Sequence, residues 1–432
     1  MEVDYNTDNA QYRPTEYSNY VEFREENVVK KLQEKITHFQ PDIIFWSAIS
    51  SHIHGEGEYV NIQYGYELLN SVRSDALWIT AGLQPTALGE KIFDIFPNVD
   101  IFIRGESEFV LLDIVENIGE KDTIRKIKGI LFKNDSGKIV ETPKQDIISN
   151  LDAIPHYDYS LFEKQIFWRP YNGNVLRAID YELSRGCIYT CSYCVETTIQ
   201  RYYGFTDRGK RGALTNAKNY LRTKSASRIY EELSTLSREF KINLVRCQDT
   251  NFLTINRAML NELAALLESK PLDIRLYIET RPEGINPTTI DLLNRLNVDG
   301  IGMGVELSTQ TFREDYLHRF ADQKRIIDAF EMLKSANIKR TAYNIIGLPD
   351  QSEESIKETI EFNRLISPDN VTVAFYSPYL GTDEEVRGRK MGYSSDYEHE
   401  VDGQLRSVTS NTNINTEKLN HYKNNFAKLV KA

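Results

Sequence analysis

Hydrophobic and polar positions in the first 120 residues follow the order of an α/β domain, with short apolar runs between segments of helical spacing. The runs predict strands at 42–46, 76–80 and 99–104, and the spacing predicts helices at 29–38, 64–72, 89–96 and 108–118. Strands that alternate with helices of these lengths predict a parallel, doubly wound sheet. The turn-rich tetrad at 134–137 lies between two apolar runs and predicts a hairpin.

A second alternation begins near residue 175. Strands are predicted at 176–183, 244–247, 274–278, 300–305, 339–345 and 371–375, with helical segments between them. Six consecutive βα units predict a partial (β/α)6 barrel, whose chemistry belongs at the carboxyl ends of its strands. The expected division is a front α/β domain at 1–150, a linker at 151–174, the barrel at 175–385 and a C-terminal helical extension at 386–432.

Composition narrows the class of protein. The 432 residues carry a formal charge of −11, with 41% hydrophobic and 27% charged residues, which is ordinary for a globular protein. The acidic balance argues against a general nucleic-acid or anionic-membrane binder. No apolar run is long enough for a membrane span, and the polar first residues do not resemble a secretory signal. We therefore expect a cytoplasmic protein with no nucleic-acid or membrane partner.

Three of the four cysteines, Cys187, Cys191 and Cys194, fall within eight residues after the first predicted barrel strand. Three thiolates on one tight loop can hold three irons of a [4Fe–4S] cluster and leave the fourth iron open to another ligand. A structural zinc site, the alternative, requires four ligands. Cys247 lies on a different predicted strand and no histidine lies near the loop, so we expect Cys247 not to be a ligand.

The CxxxCxxC spacing at the end of the first barrel strand, with Tyr193 before the last cysteine, resembles the signature of the radical SAM enzymes. The resemblance implies that the open iron binds S-adenosylmethionine. It also implies that an external electron donor such as flavodoxin or ferredoxin drives the cleavage of S-adenosylmethionine to a 5′-deoxyadenosyl radical. In such enzymes the cofactor carries the difficult chemistry and the protein positions it.

The same resemblance suggests S-adenosylmethionine contacts at later strand ends. Asp249 would hold the amino group, or else serve as a loop cap before the helix near residue 256. Arg281 would pair with the carboxylate, unless it belongs to a surface ion pair. Glu306 would accept from the ribose hydroxyls, and Ser308 would donate to the carboxylate.

The turn after the fifth barrel strand, 344–349, resembles the turn that contacts adenine in this superfamily. Ile346 and Gly347 would act there through their backbone groups. Four such segments in the expected order after the cysteine loop make the resemblance specific.

The front domain resembles that of the cobalamin-binding radical SAM enzymes. The similar phrases are 41–48, 80–86, 104–108, 150–155 and 377–382. The chain departs from that family where DxHxxG is expected, because asparagine, Asn6, replaces the histidine. His52 and His54 lie after the next strand and are expected to be loop residues. The resemblance therefore implies cobalamin bound base-off without a histidine ligand, unless the domain is degenerate and holds no cofactor.

Residues at the front-domain strand ends are the candidate corrinoid contacts. They are Ser47, Ser50, Gly82, Gly105 and Glu106, of which the serines alternatively serve as helix caps. Glycine at such a position lets a large flat ligand approach the backbone. The segment between Thr197 and Arg222 is expected to overhang the mouth of the site.

The resemblance implies an enzyme that methylates an unactivated carbon, or phosphorus, of a small molecule or peptide. Two alternatives stay open at this point. One is a cobalamin-free radical SAM oxidoreductase, mutase or cyclase with a vestigial front domain, and the other is a zinc-binding interaction module.

Overall fold

The computed structural model describes residues 18–21, 27–48, 58–376, 379, 381–392 and 414–432. Within these ranges the strands form a five-stranded sheet, a seven-stranded sheet and a two-stranded ribbon. No helix among the described residues combines the length and the apolar character that crossing a membrane requires.

The front domain is built on the five-stranded sheet. Its strands are β1 Ile43–Ala48, β2 Leu77–Gly82, β3 Ile101–Ile103, β4 Ile130–Lys133 and β5 Ile139–Glu141, in that spatial order. Its helices are α1 Val28–Phe39, α2 Glu58–Ser71, α3 Leu83–Leu88, α4 Ile92–Ile95, α5 Glu108–Glu116 and α6 Lys121–Ile124. The first three strands are parallel. The predicted hairpin is present as β4 and β5, and it extends the sheet in antiparallel pairing.

Both faces of this sheet are covered, as the doubly wound prediction requires. On one face Ile79 and Ile103 pack against Val110 and Ile114 of α5. On the other face Phe102 packs against residues 92–96 of α4 and its end. Because successive side chains of a strand point to opposite faces, the apolar runs at 77–82 and 101–103 supply both layers.

The predicted helix at 89–96 is present as a 3-10 turn, Gly89–Lys91, that continues into α4. Another helix, Leu83–Leu88, precedes it and ends at Gly89, which has φ +58°. Pro85 is tolerated because it lies in the first turn, where its missing N–H has no intrahelical partner. Gly89 therefore ends one helix and begins the next, and its positive φ suits a helix end.

The second domain is a curled seven-stranded sheet. Its strands are β6 Trp168–Tyr171, β7 Asn174–Tyr181, β10 Leu244–Cys247, β11 Arg275–Thr280, β12 Val298–Glu306, β13 Lys339–Ile346 and β14 Asn370–Phe375, and the ribbon is β8 Ser184–Arg185 with β9 Arg222–Thr223. Strands β7 and β10 to β14 are parallel and adjacent in sequence order, which confirms the partial (β/α)6 barrel.

The barrel helices lie outside the sheet. They are α7 Val195–Tyr203, α8 Ala226–Phe240, α9 Arg257–Ser269, α10 Pro287–Arg295, α11 Gln310–Leu317, α12 Gln323–Ser335, α13 Glu353–Ile366, α14 Asp383–Lys390 and α15 Thr416–Lys431. Side-chain caps start seven of them, at Ser225, Asn256, Asn286, Asp322, Ser352, Thr382 and Asn415. Such caps satisfy backbone donors that a helix start leaves without partners.

Two segments outside the predicted barrel strands join its architecture. The end of the predicted linker forms β6, which pairs antiparallel with β7 at the edge of the sheet. In the C-terminal extension, Leu419 and Phe426 of α15 are fully buried in the barrel's hydrophobic core.

Candidate active site

The cysteine loop begins directly after β7 and the ribbon strand β8. Gly186 has φ +94°, and a Cβ at this position would lie 2.5 Å from the carbonyl oxygen of Tyr220. Only glycine fits this turn without displacing the backbone of 220. The chain can therefore pass directly into the cysteine segment, which ends where α7 starts at Val195.

Hydrogen bonds hold the backbone of the cysteine loop. Gln200 Nε2 donates to the carbonyl oxygens of Cys187 and Tyr189, each at 3.0 Å. The amide of Thr190 donates to the carbonyl of Gly212 at 2.8 Å. The segment after α7 thus folds back onto the cysteine loop, where the sequence predicted an overhang at the site mouth.

The environment of the cysteines fits iron ligation. Cys187 and Cys191 are buried, Cys194 is half-buried, and Arg281 Nη1 lies 3.5 Å from Cys191 Sγ. Burial, together with the nearby Glu196, raises the pKa of Cys187 to about 12. Metal ligands bind as thiolates, so the positive charge of iron has to lower the pKa of Cys187.

Among the described residues, no group of three or more His, Cys, Asp or Glu is arranged around a point that holds a single metal ion. A cluster does not require such convergence, because each thiolate binds a different iron. Cys247 is buried in the hydrophobic core at the end of β10. Its exclusion from the ligand set stays a prediction.

Glu306, at the end of β12, links the far side of the barrel to the cysteine loop. Its Oε1 accepts a hydrogen bond from the Tyr193 hydroxyl at 2.9 Å and lies 3.4 Å from Arg319 Nη1. A Cβ on Gly304 would lie 2.1 Å from the same oxygen, so glycine makes room for the ion pair. Glu306 has φ +64°, a conformation that costs energy for a non-glycine residue.

Asp249 and Arg281 take positions beside the cysteine loop. Asp249 is buried and accepts from the backbone amide of Ser184 at 2.6 Å, and burial raises its pKa to about 7. Asn256, and not Asp249, caps the following helix. Arg281 lies with its guanidinium 3.7 Å from the ring centre of Tyr189 and pairs with Glu283, so it is not at the surface.

Three other residues predicted to contact S-adenosylmethionine lie within hydrogen-bonding distance of other residues of the protein. Ser308 lies against α13, with its hydroxyl 3.4 Å from Thr359 Oγ1. The carbonyl of Ile346 accepts from the Tyr376 amide at 2.7 Å, and the amide of Gly347 donates to Gln351 Oε1 at 2.7 Å. Their roles toward S-adenosylmethionine stay predictions.

The predicted corrinoid contacts occupy the carboxyl edge of the front sheet. Gly82 ends β2 with φ +133°, Gly105 follows β3 with φ +77°, and Ser47 lies in β1. Ser50 lies outside the described residues, as do Asn6, His52 and His54.

Glu106 joins the two domains. It accepts from Arg222 Nη1 at 2.7 and 2.9 Å, and Arg185 Nη1 lies 3.2 Å from it. Its backbone amide donates to the Tyr203 hydroxyl at 2.8 Å. The carboxyl edge of the front sheet is thereby fixed to β8, β9 and α7, which flank the cysteine loop.

The sequence did not predict the arginines that pair with Glu306 and Glu106. Arg319 follows α11, and Arg185 and Arg222 belong to the short ribbon. None of them lies in a periodic pattern, and each finds its partner only when distant segments meet. Arg185 does stand beside the cysteine motif, a position that offered the one usable signal.

Comparison with known proteins identifies the barrel. The model of the radical SAM superfamily matches residues 181–362, which begin at the end of β7 and include the cysteine loop. Residues 181–362 therefore form a radical SAM domain, and the protein is an enzyme. A radical SAM domain implies a [4Fe–4S] cluster and S-adenosylmethionine, which confirms that part of the predicted cofactor set.

Two relatives have similar sequences along most of this chain. An anaerobic magnesium-protoporphyrin IX monomethyl ester cyclase from Rubrivivax gelatinosus is 25% identical over 359 residues, which cover 82% of this chain and 59% of the relative. An uncharacterized methyltransferase from Pyrococcus horikoshii is 23% identical over 347 residues, which cover 80% of this chain and 69% of the relative. The chain therefore spans less than two thirds of the cyclase's length.

A solved structure shares the two-domain fold. The radical SAM methyltransferase TsrM from Kitasatospora setae, solved with cobalamin and a [4Fe–4S] cluster, has a TM-score of 0.66 and 14% identity. The match covers 86% of this chain and 71% of TsrM. At this identity the likeness is one of fold, and it confirms the predicted order of an α/β front domain before a radical SAM barrel.

Proposed function

We propose that this enzyme is a cobalamin-dependent radical SAM methyltransferase that acts on an unactivated carbon of a small molecule or peptide. The observation that carries the proposal is the junction at Glu106. Because Arg185 and Arg222 bind this carboxylate beside the cysteine loop, a ligand on the carboxyl edge of the front sheet would lie next to the cluster. TsrM, with the same fold, was solved with both cofactors.

The carboxyl edge also offers a group that fits a corrinoid. Gln84, the second residue of α3, is buried, and its Oε1 has no hydrogen-bond partner among the described residues. A buried acceptor without a donor is unfavourable. The side-chain amides of a corrin ring are donors of the required kind. Glu106, in contrast, is committed to the two arginines and would support the site without binding the corrinoid.

The remaining residues have roles in binding and orientation. When bound, the cluster with S-adenosylmethionine would supply a hydrogen-abstracting radical, and cobalamin would carry the methyl group. Glu306, fixed by Tyr193 and Arg319, would accept from the ribose hydroxyls. Arg281, between the Tyr189 ring and Cys191, would hold the carboxylate. A low-potential ferredoxin or flavodoxin would deliver the electrons.

The test measures how the enzyme divides S-adenosylmethionine between two products. The protein is reconstituted anaerobically with iron, sulfide and hydroxocobalamin, then incubated with S-adenosylmethionine and titanium(III) citrate. The proposal predicts corrinoid-dependent S-adenosylhomocysteine and, separately, 5′-deoxyadenosine. Cys191→Ala should abolish 5′-deoxyadenosine and retain corrinoid uptake. An enzyme that forms no S-adenosylhomocysteine with bound corrinoid would contradict methyl transfer.

Ring formation is the second candidate, favoured by the similarity to the cyclase from Rubrivivax gelatinosus. A cyclase would use the radical without consuming a methyl group. It would therefore produce 5′-deoxyadenosine with no S-adenosylhomocysteine above the level of a corrinoid-free control.

A further inference from the structure

The inner face of the barrel is polar. Asp180 of β7, Arg246 of β10, Tyr277 and Glu279 of β11, and Tyr343 of β13 are only partly buried. Their neighbours along the strands belong to the apolar layer under the helices, namely Ile179, Val245, Leu276, Ile278 and Ala342. Since side chains alternate along a strand, the polar set faces the opposite side, into the barrel.

This interior contains open space. The side chains of Asp180 and Arg246 are 36% and 19% exposed. Both residues lie on strands that have a neighbouring strand on each side, and helices cover the outer face. Their exposed surface therefore borders the barrel interior, which we call the lumen.

Tyr343 fixes Glu279 in the lumen. A Cβ on Gly302 would lie 2.4 Å from the Tyr343 hydroxyl, so this glycine lets the tyrosine cross β12. The hydroxyl donates to Glu279 Oε1 at 3.1 Å and lies 2.7 Å from the Tyr277 hydroxyl. No described residue donates a hydrogen bond to the other carboxylate oxygen of Glu279.

Around Glu279 the carboxylates outnumber the nearby cations. Arg246 is the cation that faces it, but the Nε of Arg246 lies 3.7 Å from Asp180 Oδ1. Asp180 also accepts from Gln248 at 2.8 Å. Two carboxylates thus share one guanidinium. Burial raises the pKa of Glu279 to about 7, as expected for a carboxylate without a cation in direct contact.

Glu279 lies on the same side of its strand as Arg281, two residues further on. Arg281 contacts Cys191, and two residues of a strand span about 7 Å. A small substrate bound to Glu279 could therefore extend along β11 toward Arg281 and the proposed cluster.

We propose that the free oxygen of Glu279 binds a cationic amino group of the substrate, with the Tyr343 hydroxyl holding the carboxylate in place. The class of substrate is then an amine, or a peptide with an exposed amino group. This inference rests on the proposed function, since it assumes that the lumen receives the substrate.

The test compares three probes of similar shape: 2-phenylethylamine, 2-phenylethanol and 3-phenylpropionate. Binding to the anaerobically reconstituted holoprotein with S-adenosylmethionine is measured by isothermal titration calorimetry. The amine should bind more tightly than the alcohol and the acid. Glu279→Gln should weaken amine binding about 10-fold or more, as loss of a charged hydrogen bond implies. Tyr343→Phe should weaken it less, because the carboxylate remains.

Glu268→Gln is the matched control, because Glu268 forms a surface ion pair with Arg295 on the outer helices. It should bind all three probes like the wild type. Equal binding of the probes, tighter binding of the acid, or an unaffected Glu279→Gln variant would overturn the inference. Methyl transfer is tested separately: a protein that forms S-adenosylhomocysteine without preferring the amine would refute only the role of Glu279.

Discussion

The junction between the two domains should be a major source of stability for the front domain. Arg222 and Glu106 have side chains only 6% and 12% exposed, and Arg222 Nη1 also donates to the Ile148 carbonyl at 2.8 Å. Breaking a buried ion pair from one side costs about 3–5 kcal/mol, because the remaining charge is left uncompensated. Arg185 still lies 3.2 Å from Glu106. We therefore expect Arg222→Met to lower the free energy of unfolding by an amount near the lower limit, about 3 kcal/mol.

The assay is urea unfolding followed by tryptophan fluorescence. Trp46 and Trp78 lie in the front sheet, so the signal reports mainly on that domain. With a urea dependence of about 1–3 kcal/mol per molar, the midpoint should fall by about 1 M or more. Arg295→Met is the control, since the side chains of Arg295 and Glu268 are 30% and 49% exposed and a solvent-exposed ion pair contributes little to stability. Equal losses in the two variants would refute the reasoning.

Four further predictions concern the site. Iron analysis after reconstitution should find the cluster lost in Cys191→Ala and retained in Cys247→Ala; equal loss would contradict the ligand assignment. Glu306→Ala should weaken S-adenosylmethionine binding about 10- to 150-fold in calorimetry while the cluster remains, and unchanged affinity would exclude this contact. Burial raises the pKa of Asp249 from 3.8 to about 7. The folded state therefore favours the protonated carboxyl, and this contribution to stability is lost as pH rises through 7. Between pH 5 and 8, urea unfolding should show that the wild type loses stability relative to Asp249→Asn, and the same pH dependence of the free energy of unfolding in both proteins would contradict the raised pKa. Electron paramagnetic resonance of the cob(II)alamin form should show no nitrogen splitting from an axial histidine, with the segment 52–54 supplying no ligand.

The repeated patterns predicted the fold well. Apolar runs and helical spacing identified all six parallel barrel strands, and Leu244–Cys247 matches its predicted limits. The edge strand β6 was not predicted, because Trp168–Tyr171 contains Pro170 and lies in an aromatic-rich stretch that resembles a linker. Proline is accepted at the edge of a sheet, where its missing N–H breaks no ladder.

The site was predictable only where a motif carried it. The cysteine spacing and the Glu306 segment could be predicted as site residues because each motif is contiguous in sequence. Glu106 was expected to contact a cofactor, yet it is engaged by Arg222, 116 residues away. Its role depends on a contact between domains that no local pattern encodes. The lumen carboxylate Glu279 was missed for the same reason, because its partner Tyr343 lies on another strand.

Cobalamin binding by the front domain is tested most directly by titrating the anaerobically reconstituted protein with hydroxocobalamin, followed by gel filtration and absorbance. We expect one corrinoid to be retained per chain, with the [4Fe–4S] cluster present in the same molecule. A protein that holds its cluster and binds S-adenosylmethionine but retains no corrinoid would contradict the assignment of the front domain.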